Sequence, residues 1–522
     1  MLPNSQLRFL SVWDRMASSE YVYIVLSFPL ENNSVRNATA HLEDCLAKLS
    51  EDCPELAGDL ITRESWMSAR CFWNGDWREK NNEAVRRAAK RGYPFPPDTD
   101  PRCFAFIEDV PAPETDHQLI LHQMKGQKIP FDVIHHEDDF GMTYEELKER
   151  GFPASAFAHP CFAFERAAGA EGMGKGIKPL RFVAVIINGG LLLSIHIHHI
   201  LMDGGCMGMM FEHLSAITRK EEPMKMPSST LISLPNPGPE FMQRLEATDS
   251  VQGKIRLCPE CKMLPERSSL LNNTARSNQT SEPSTVQVFS FCNNQLSKLQ
   301  DLMKSPCASK RPSKFACLSA LIWAHTTKAR LGAQRLSNSE GKESDREPAK
   351  LVFPVNWRKR AFQALTENYF GNACVLAESN IPLQHLLLAA DHNEELAKVV
   401  QQVGRSIDAV DDEFVARRSA MMESLPGRCL GFTVDPRKPH NLSCNIWRHF
   451  STDTVWDIPG VGRQKFHAIR RGLGQSKMGN AVILPGAAIA DSQDVQISLP
   501  ADAMDLLCRD EKWLQWVHSV IE

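Results

Sequence analysis

The segment His196-Ile197-His198-His199-Ile200-Leu201-Met202-Asp203-Gly204-Gly205-Cys206 gathers three imidazoles, a carboxylate and a thiol. Three kinds of chemistry draw on such groups. Histidines and an aspartate are credible metal ligands. The flanking residues read as a strand, however, and strand parity separates them. His196 and His198 share a face with Leu192 and Ser194, and His199 shares the other with Leu191, Leu193, Ile195 and Ile197. Asp203 also comes too late for an H-x-H-x-D-H spacing. The expectation is no bound metal. Cys206, at a helix start after Asp-Gly-Gly, is a candidate nucleophile with a histidine partner, or else a small buried residue. His199, ending a strand before a sharp turn, is a candidate general base. Its neutral ring could take a proton from an alcohol or amine attacking a carbonyl. A core histidine bonded to a backbone carbonyl would show the same spacing, so spacing alone leaves the choice open.

The elements that must position these groups follow from the apolar period. Residues 181–199 read as a hairpin, with Asn188-Gly189-Gly190 as its turn. Residues 34–49 read as a helix, with Val35, Ala38, Leu42, Cys45, Leu46 and Leu49 near helical spacing. Further helices are expected over 315–330, within 387–410 and from 500 to 517, and a strand over 495–499. From about 217 to 285 the chain is rich in Pro, Ser, Asn and Lys and reads as a long, exposed connection. A second polar insertion spans 337–347. Strand-like and helix-like runs alternate, which gives an α/β, mixed α+β class. The expected division is an N-terminal domain over 1–215, the connection over 216–285, and a C-terminal domain over 286–522.

His199-Ile200-Leu201-Met202-Asp203-Gly204 resembles H-x-x-x-D-G, the signature of BAHD acyltransferases. With His198 it also resembles the H-H-x-x-x-D-G of chloramphenicol acetyltransferase-like and peptide-synthetase condensation domains. Companion segments follow in order along nearly the whole chain. Pro54-Glu55-Leu56-Ala57-Gly58 is similar to the early P-x-L-A-G segment, and residues 144–154 to a stretch of fungal members. Ala320-Leu321-Ile322-Trp323 with Ala329-Arg330 is similar to the helix that opens the second domain. Val355-Asn356-Trp357-Arg358 resembles V-N-x-R, and Tyr369-Phe370-Gly371-Asn372 resembles Y-F-G-N. Trp447-Arg448 and Asp457-Ile458-Pro459-Gly460-Val461-Gly462 stand where the family has S-W-R and D-F-G-W-G. Two departures occur: Ile446 replaces the Ser, and the Asp457 loop carries one extra residue and lacks the Trp. That loop is chiefly architectural in the family, so the change bears on the tunnel wall more than on the chemistry. The overall resemblance is to the fungal branch that includes trichothecene O-acetyltransferases.

The resemblance implies two chloramphenicol acetyltransferase-like domains, each a mixed sheet with flanking helices, and a channel between them. It also allows part of one segment to cross into the N-terminal sheet. His199 would be the base at the channel centre, acting on an acceptor hydroxyl as it attacks an acyl-CoA thioester, acetyl-CoA by analogy. Asp203 would point away from substrate and pair with Arg358 across the domains. Gly204 and Asp457 would be structural at the site. No permanent cofactor is implied. A condensation-type or N-acylating enzyme, and a non-catalytic small-molecule binder, are the competing readings.

The 522 residues are too many for one core and fit two domains of about 200–250 residues. A formal charge of −4 gives no basic surface for nucleic acid or anionic membrane. No apolar run reaches the ~18 residues of a membrane span. The 15 scattered cysteines read as reduced thiols. Cys258-Pro259-Glu260-Cys261 is half of a zinc knuckle with no second half nearby. Sequons such as 272–274 read as chance matches. The expectation is a cytoplasmic monomer whose partners are acyl-CoA and a small-molecule acceptor.

Overall fold

The computed structural model describes residues 5–17, 21–61, 120–124, 126–162, 178–226, 234–263, 284–304, 310–336, 347–363, 369–425, 430–447, 450, 453–472, 478–487 and 492–521. Arg448, the sequon at 272–274 and residues 337–346 of the second insertion lie outside them.

The hairpin forms as strands Leu180–Ile187 and Gly190–His198, and Gly189 takes the left-handed φ of +76° that the tight turn requires. It is the centre of a five-stranded sheet in the order Ala468–Arg471, Tyr21–Pro29, Gly190–His198, Leu180–Ile187, Phe131–His135. All neighbours are antiparallel except the last two. Gly190–His198 is buried along its whole length, so the polar Ser194, His196 and His198 of one face are buried as fully as the apolar residues of the other. On one face Ile24, Leu26, Phe28, Leu193, Ile195 and Ile197 pack under helices Val35–Asp52 and Gly204–Thr218. On the other, Val25, Val183, Val185 and Leu192 meet Tyr144, Leu147, Phe152 and Phe157.

A seven-stranded sheet follows, in the order Cys374–Ile381, Ala349–Asn356, Asn441–Ile446, Asn480–Pro485, Gln493–Pro500, Ser284–Phe291, Ser519–Ile521. Helix Lys314–Leu336 lies in its core; its 316–327 run is buried on all sides, as an all-round apolar helix must be. The indole of Trp323 donates to the His440 carbonyl at 3.0 Å. The strand Ala468–Arg471 belongs by sequence to this half yet lies in the five-stranded sheet. It is pinned by Arg470, wholly buried, which donates to the carbonyls of Gly151 and Phe152 and to Asp494 Oδ2, each at 2.8 Å. Gly151 and Phe152 both have positive φ, which turns those carbonyls toward the guanidinium.

Three local expectations change. Residues 387–410 form not one helix but parts of two, Leu383–Ala389 and Asn393–Asp408, broken at Asp391-His392. The closing helix breaks at Asp510, whose carboxylate caps a short helix Glu511–Leu514, and the chain continues into the edge strand Ser519–Ile521. The connection after Thr218 is not wholly exposed. Helices Pro239–Glu246 and Val251–Ile255 bury Phe241, Leu245 and Ile255 in the C-terminal core, together with the free thiols of Cys258 and Cys261.

Candidate active site

His199 lies one residue past the end of strand Gly190–His198, in the turn that leads to helix Gly204–Thr218. Its Nδ1 is buried and has no hydrogen-bond partner among the described residues. Among the described residues no carboxylate holds that nitrogen. The backbone beneath it is held instead: Asn372 Nδ2 donates to the carbonyls of His199 at 3.0 Å and Ile200 at 2.9 Å. Asn372 is itself anchored, its backbone N–H and side-chain amide both donating to Asp14 Oδ1, at 2.7 and 3.0 Å. Asp14 Oδ2 accepts from the N–H and hydroxyl of Ser11. Burial pushes the Asp14 carboxyl up, against the pull of its bonds to Asn372 and Ser11. Sequence reasoning missed Asp14 and named Asn372 only as part of a motif. The S-x-x-D capping pattern of Ser11 to Asp14 was a usable signal.

Both oxygens of Asp203 are taken by groups other than the His199 ring. Its Oδ1 accepts from Cys206 N at 3.1 Å, capping helix Gly204–Thr218. Its Oδ2 accepts from Arg358 Nη1 and from Ala373 N, both at 2.8 Å. Arg358 also donates to the Tyr369 carbonyl at 3.0 Å, to the Gly371 carbonyl and to Cys206 Sγ at 3.1 Å. Burial alone would raise the Asp203 carboxyl; the Arg358 charge and the two backbone donors outweigh it and hold it below the usual carboxylate range. The glycines that follow make room for this pair. A Cβ on Gly205 would fall 2.8 Å from Asn356 Nδ2 and 3.0 Å from Arg358 Nη1, and one on Gly204 would fall 2.5 Å from the Phe450 ring.

Cys206 is a fully buried thiol. Burial pushes it up to about 12, and its sulfur is used by Arg358 and by the backbone of Gly371. The strand histidines share one face and have partners there: His196 Nε2 meets Ser194 Oγ at 3.1 Å and its ring stands edge-on to Tyr23, while His198 stands edge-on to Tyr21. Burial, then the charge of Arg181, pushes the His196 imidazole down to about 4. Asp457 is not brought to Asp203 and Arg358. Its backbone N–H donates to Thr218 Oγ1, at the far end of the helix that Asp203 caps. At ~1.5 Å per residue that is roughly 20 Å away. The altered loop forms the hairpin of Trp456–Ile458 with Gly462–Gln464, and the Gly460 carbonyl accepts from Glu31 N at 3.1 Å.

The imidazole-then-carboxylate segment, its cross-sheet arginine and the two-sheet frame meet in one arrangement. The model of the Transferase family matches residues 180–512, well over half of the chain. The chain belongs to the Transferase family. This is the BAHD-type, chloramphenicol acetyltransferase-like class that its motifs resemble. Eremophilane O-acetyltransferase ORF8 of Penicillium roqueforti is 21% identical over 76% of each chain. Omega-hydroxypalmitate O-feruloyl transferase of Arabidopsis thaliana is 26% identical over 63% of this chain and 62% of that one. The crystal structure of F. graminearum TRI101 complexed with coenzyme A and T-2 mycotoxin superposes with a TM-score of 0.68. It is 16% identical and covers 99% of this chain and 100% of its own. That likeness confirms the two-domain mixed α/β fold. Among the described residues no helix is long and apolar enough to cross a membrane.

Proposed function

We propose that this member of the family transfers an acyl group, acetyl by analogy with the eremophilane enzymes, from acyl-CoA to a hydroxyl of a small fungal secondary metabolite. His199 is the general base. The observation that carries this is the engagement of both oxygens of Asp203, Oδ2 by Arg358 and the Ala373 N–H and Oδ1 by the Cys206 N–H, which ties that carboxylate to the turn and to Arg358 rather than to the His199 ring. The acceptor hydroxyl gives its proton to His199 as its oxygen bonds to the thioester carbonyl carbon. The tetrahedral oxyanion then collapses, the C–S bond breaks, and the imidazolium returns the proton to the CoA sulfur. A positioned base contributes roughly 10²–10⁴-fold. Asn372 and the Asp203–Arg358 pair act as positioning residues. No permanent cofactor takes part in this scheme. The reading also takes residues 1–215 and 286–522 as two halves joined by 216–285, acting as a cytoplasmic monomer. Acetyl-CoA with a panel of terpenoid and polyketide alcohols, read by release of free CoA thiol and by product mass, tests it. Acceptor-dependent thiol release with a mass gain of one acetyl group is expected; thiol release that is indifferent to acceptor would overturn the assignment.

A further inference from the structure

A second cluster of chemistry-bearing side chains lies outside the site just described. His136 follows the strand Phe131–His135, and His159 and Cys161 flank Pro160 at the turn Pro160–Phe162. One ligand atom from each, two ring nitrogens and a sulfur, lie within 4.8 Å of one another. We propose that His136, His159 and Cys161 form a zinc site, with the Asp139 carboxylate orienting His136 from behind.

The donor set and the geometry select this metal. Two imidazoles and a thiolate are borderline-soft ligands, which suit Zn²⁺ and not the oxygen-seeking Ca²⁺ or Mg²⁺. Three protein ligands leave a fourth tetrahedral position for water. Asp139 Oδ1 is 2.5 Å from His136 Nδ1, which fixes the proton there and presents Nε2 as the ligating atom. That carboxylate–imidazole pairing is what a metal-bound histidine ordinarily has on its other nitrogen. The rings of His136 and His159 stand nearly perpendicular with centroids 4.9 Å apart, close enough for one nitrogen of each to share an ion. The buried rings of Phe140, Phe157 and Phe162 form an apolar floor, with Phe140 5.2 Å from His159. All three ligands are half-buried, so an ion can enter. Glu137, Asp138 and Asp139, all exposed, follow His136 directly and add negative charge beside it. Binding releases the Cys161 thiol proton to solvent, while the Cys161 N–H that donates to His159 Nδ1 at 3.3 Å leaves the other ring nitrogen for the ion. Nothing is oxidised or reduced.

The site is structural. His135 pairs with Ile186, and Ile186 with Leu191, which sets His136 level with the start of the strand whose end leads to His199. The whole strand, roughly 30 Å at ~3.4 Å per residue, separates the two sites. Zinc would tie the loop after Phe131–His135 to the turn at Pro160. The expectation of no metal weighed only the strand histidines and the Cys258–Cys261 pair. The spacing His136…His159-Pro160-Cys161 is too long to read as a ligand motif.

The test uses the full-length protein, stripped with a chelator, dialysed and titrated with Zn²⁺, and separately with Co²⁺ as a spectroscopic probe. One zinc per chain is expected, together with a thiolate-to-cobalt charge-transfer band that disappears in Cys161→Ser. His136→Ala and His159→Ala should weaken zinc at least tenfold. Asp139→Asn, at an exposed side chain that cannot endanger the fold, should weaken it by about 10–100-fold. Melting curves in chelator verify that each variant is folded. Absence of stoichiometric uptake, a band that survives Cys161→Ser, or zinc lost with Cys258→Ser instead would each overturn the proposal.

Discussion

Replacing Asp203 by Ala removes one partner of an ion pair whose side chains are only 3% and 5% exposed. The guanidinium of Arg358 is then stranded, and the N–H groups of Cys206 and Ala373 lose their acceptor. Breaking a buried pair costs roughly 3–5 kcal/mol, a large share of the ~5–15 kcal/mol that stabilises a domain. At ~2–4 °C per kcal/mol for a unit of ~150–250 residues, the melting temperature should fall by on the order of 10 °C. The pH dependence has a definite sign. The folded carboxyl is held below its unfolded value of ~3.9, so its contribution is complete above that pH and is lost as pH falls through the depressed folded value. The gap between wild type and Asp203→Ala should therefore be constant at neutral pH and narrow in acid. Arg358→Ala should cost a similar amount, and the double variant less than the sum, because no charge is left stranded. Thermal melts of the four proteins at pH 7 form the cycle. Additivity within ~0.5 kcal/mol would refute the coupling, and a rate loss in Asp203→Asn at unchanged melting temperature would reinstate a catalytic carboxylate.

Three further outcomes are expected. His199→Ala should lower kcat by at least about tenfold and up to ~10⁴-fold with an unchanged melting temperature; a smaller loss removes it from the base role. Cys206→Ala should keep turnover within a few-fold while lowering stability by about 1–2 kcal/mol, since Arg358 and Gly371 lose a sulfur acceptor; a thousandfold loss in steady-state rate would revive the covalent thiol route. Asn372→Ala leaves buried carbonyls at His199 and Ile200 without their donor, so kcat should fall with little change in KM, and stability by about 1–3 kcal/mol; a change confined to KM would place Asn372 in substrate binding instead.

The hairpin, the helix before residue 52 and the core helix after residue 314 were legible because period, turn glycine and apolar run all agree there. The breaks at Asp391-His392 and Asp510 were not, since both lie inside runs that stay apolar at helical spacing while a local cap ends the helix. Asp203 with Arg358 was reachable only through two motifs read together, because 155 residues separate them. Asp14 was hidden for a different reason: a carboxylate in a short N-terminal capping box reads as surface until the Asn372 turn is folded over it. Asp457 shows the opposite hazard, where a motif position was taken for proximity and the helix length sets it apart.

The strand Ala468–Arg471 ties synthesis order to sheet completion. Ser27 pairs with Ala468, a separation of 468 − 27 = 441 residues. Closing a loop of that size costs roughly 5 kcal/mol by the logarithmic scaling. On the ribosome, at about 5–20 residues per second, the gap lasts roughly 20–90 s. For that interval Tyr21–Pro29, rich in Tyr, Val, Ile and Phe, presents one bare edge of backbone donors and acceptors to whatever else is nascent nearby. The strand at 468–471, about nine-tenths of the way along the chain, is thus a built-in edge protector for a strand in the first tenth, and that sheet stays open at one edge until only the last strands of the seven-stranded sheet remain to emerge.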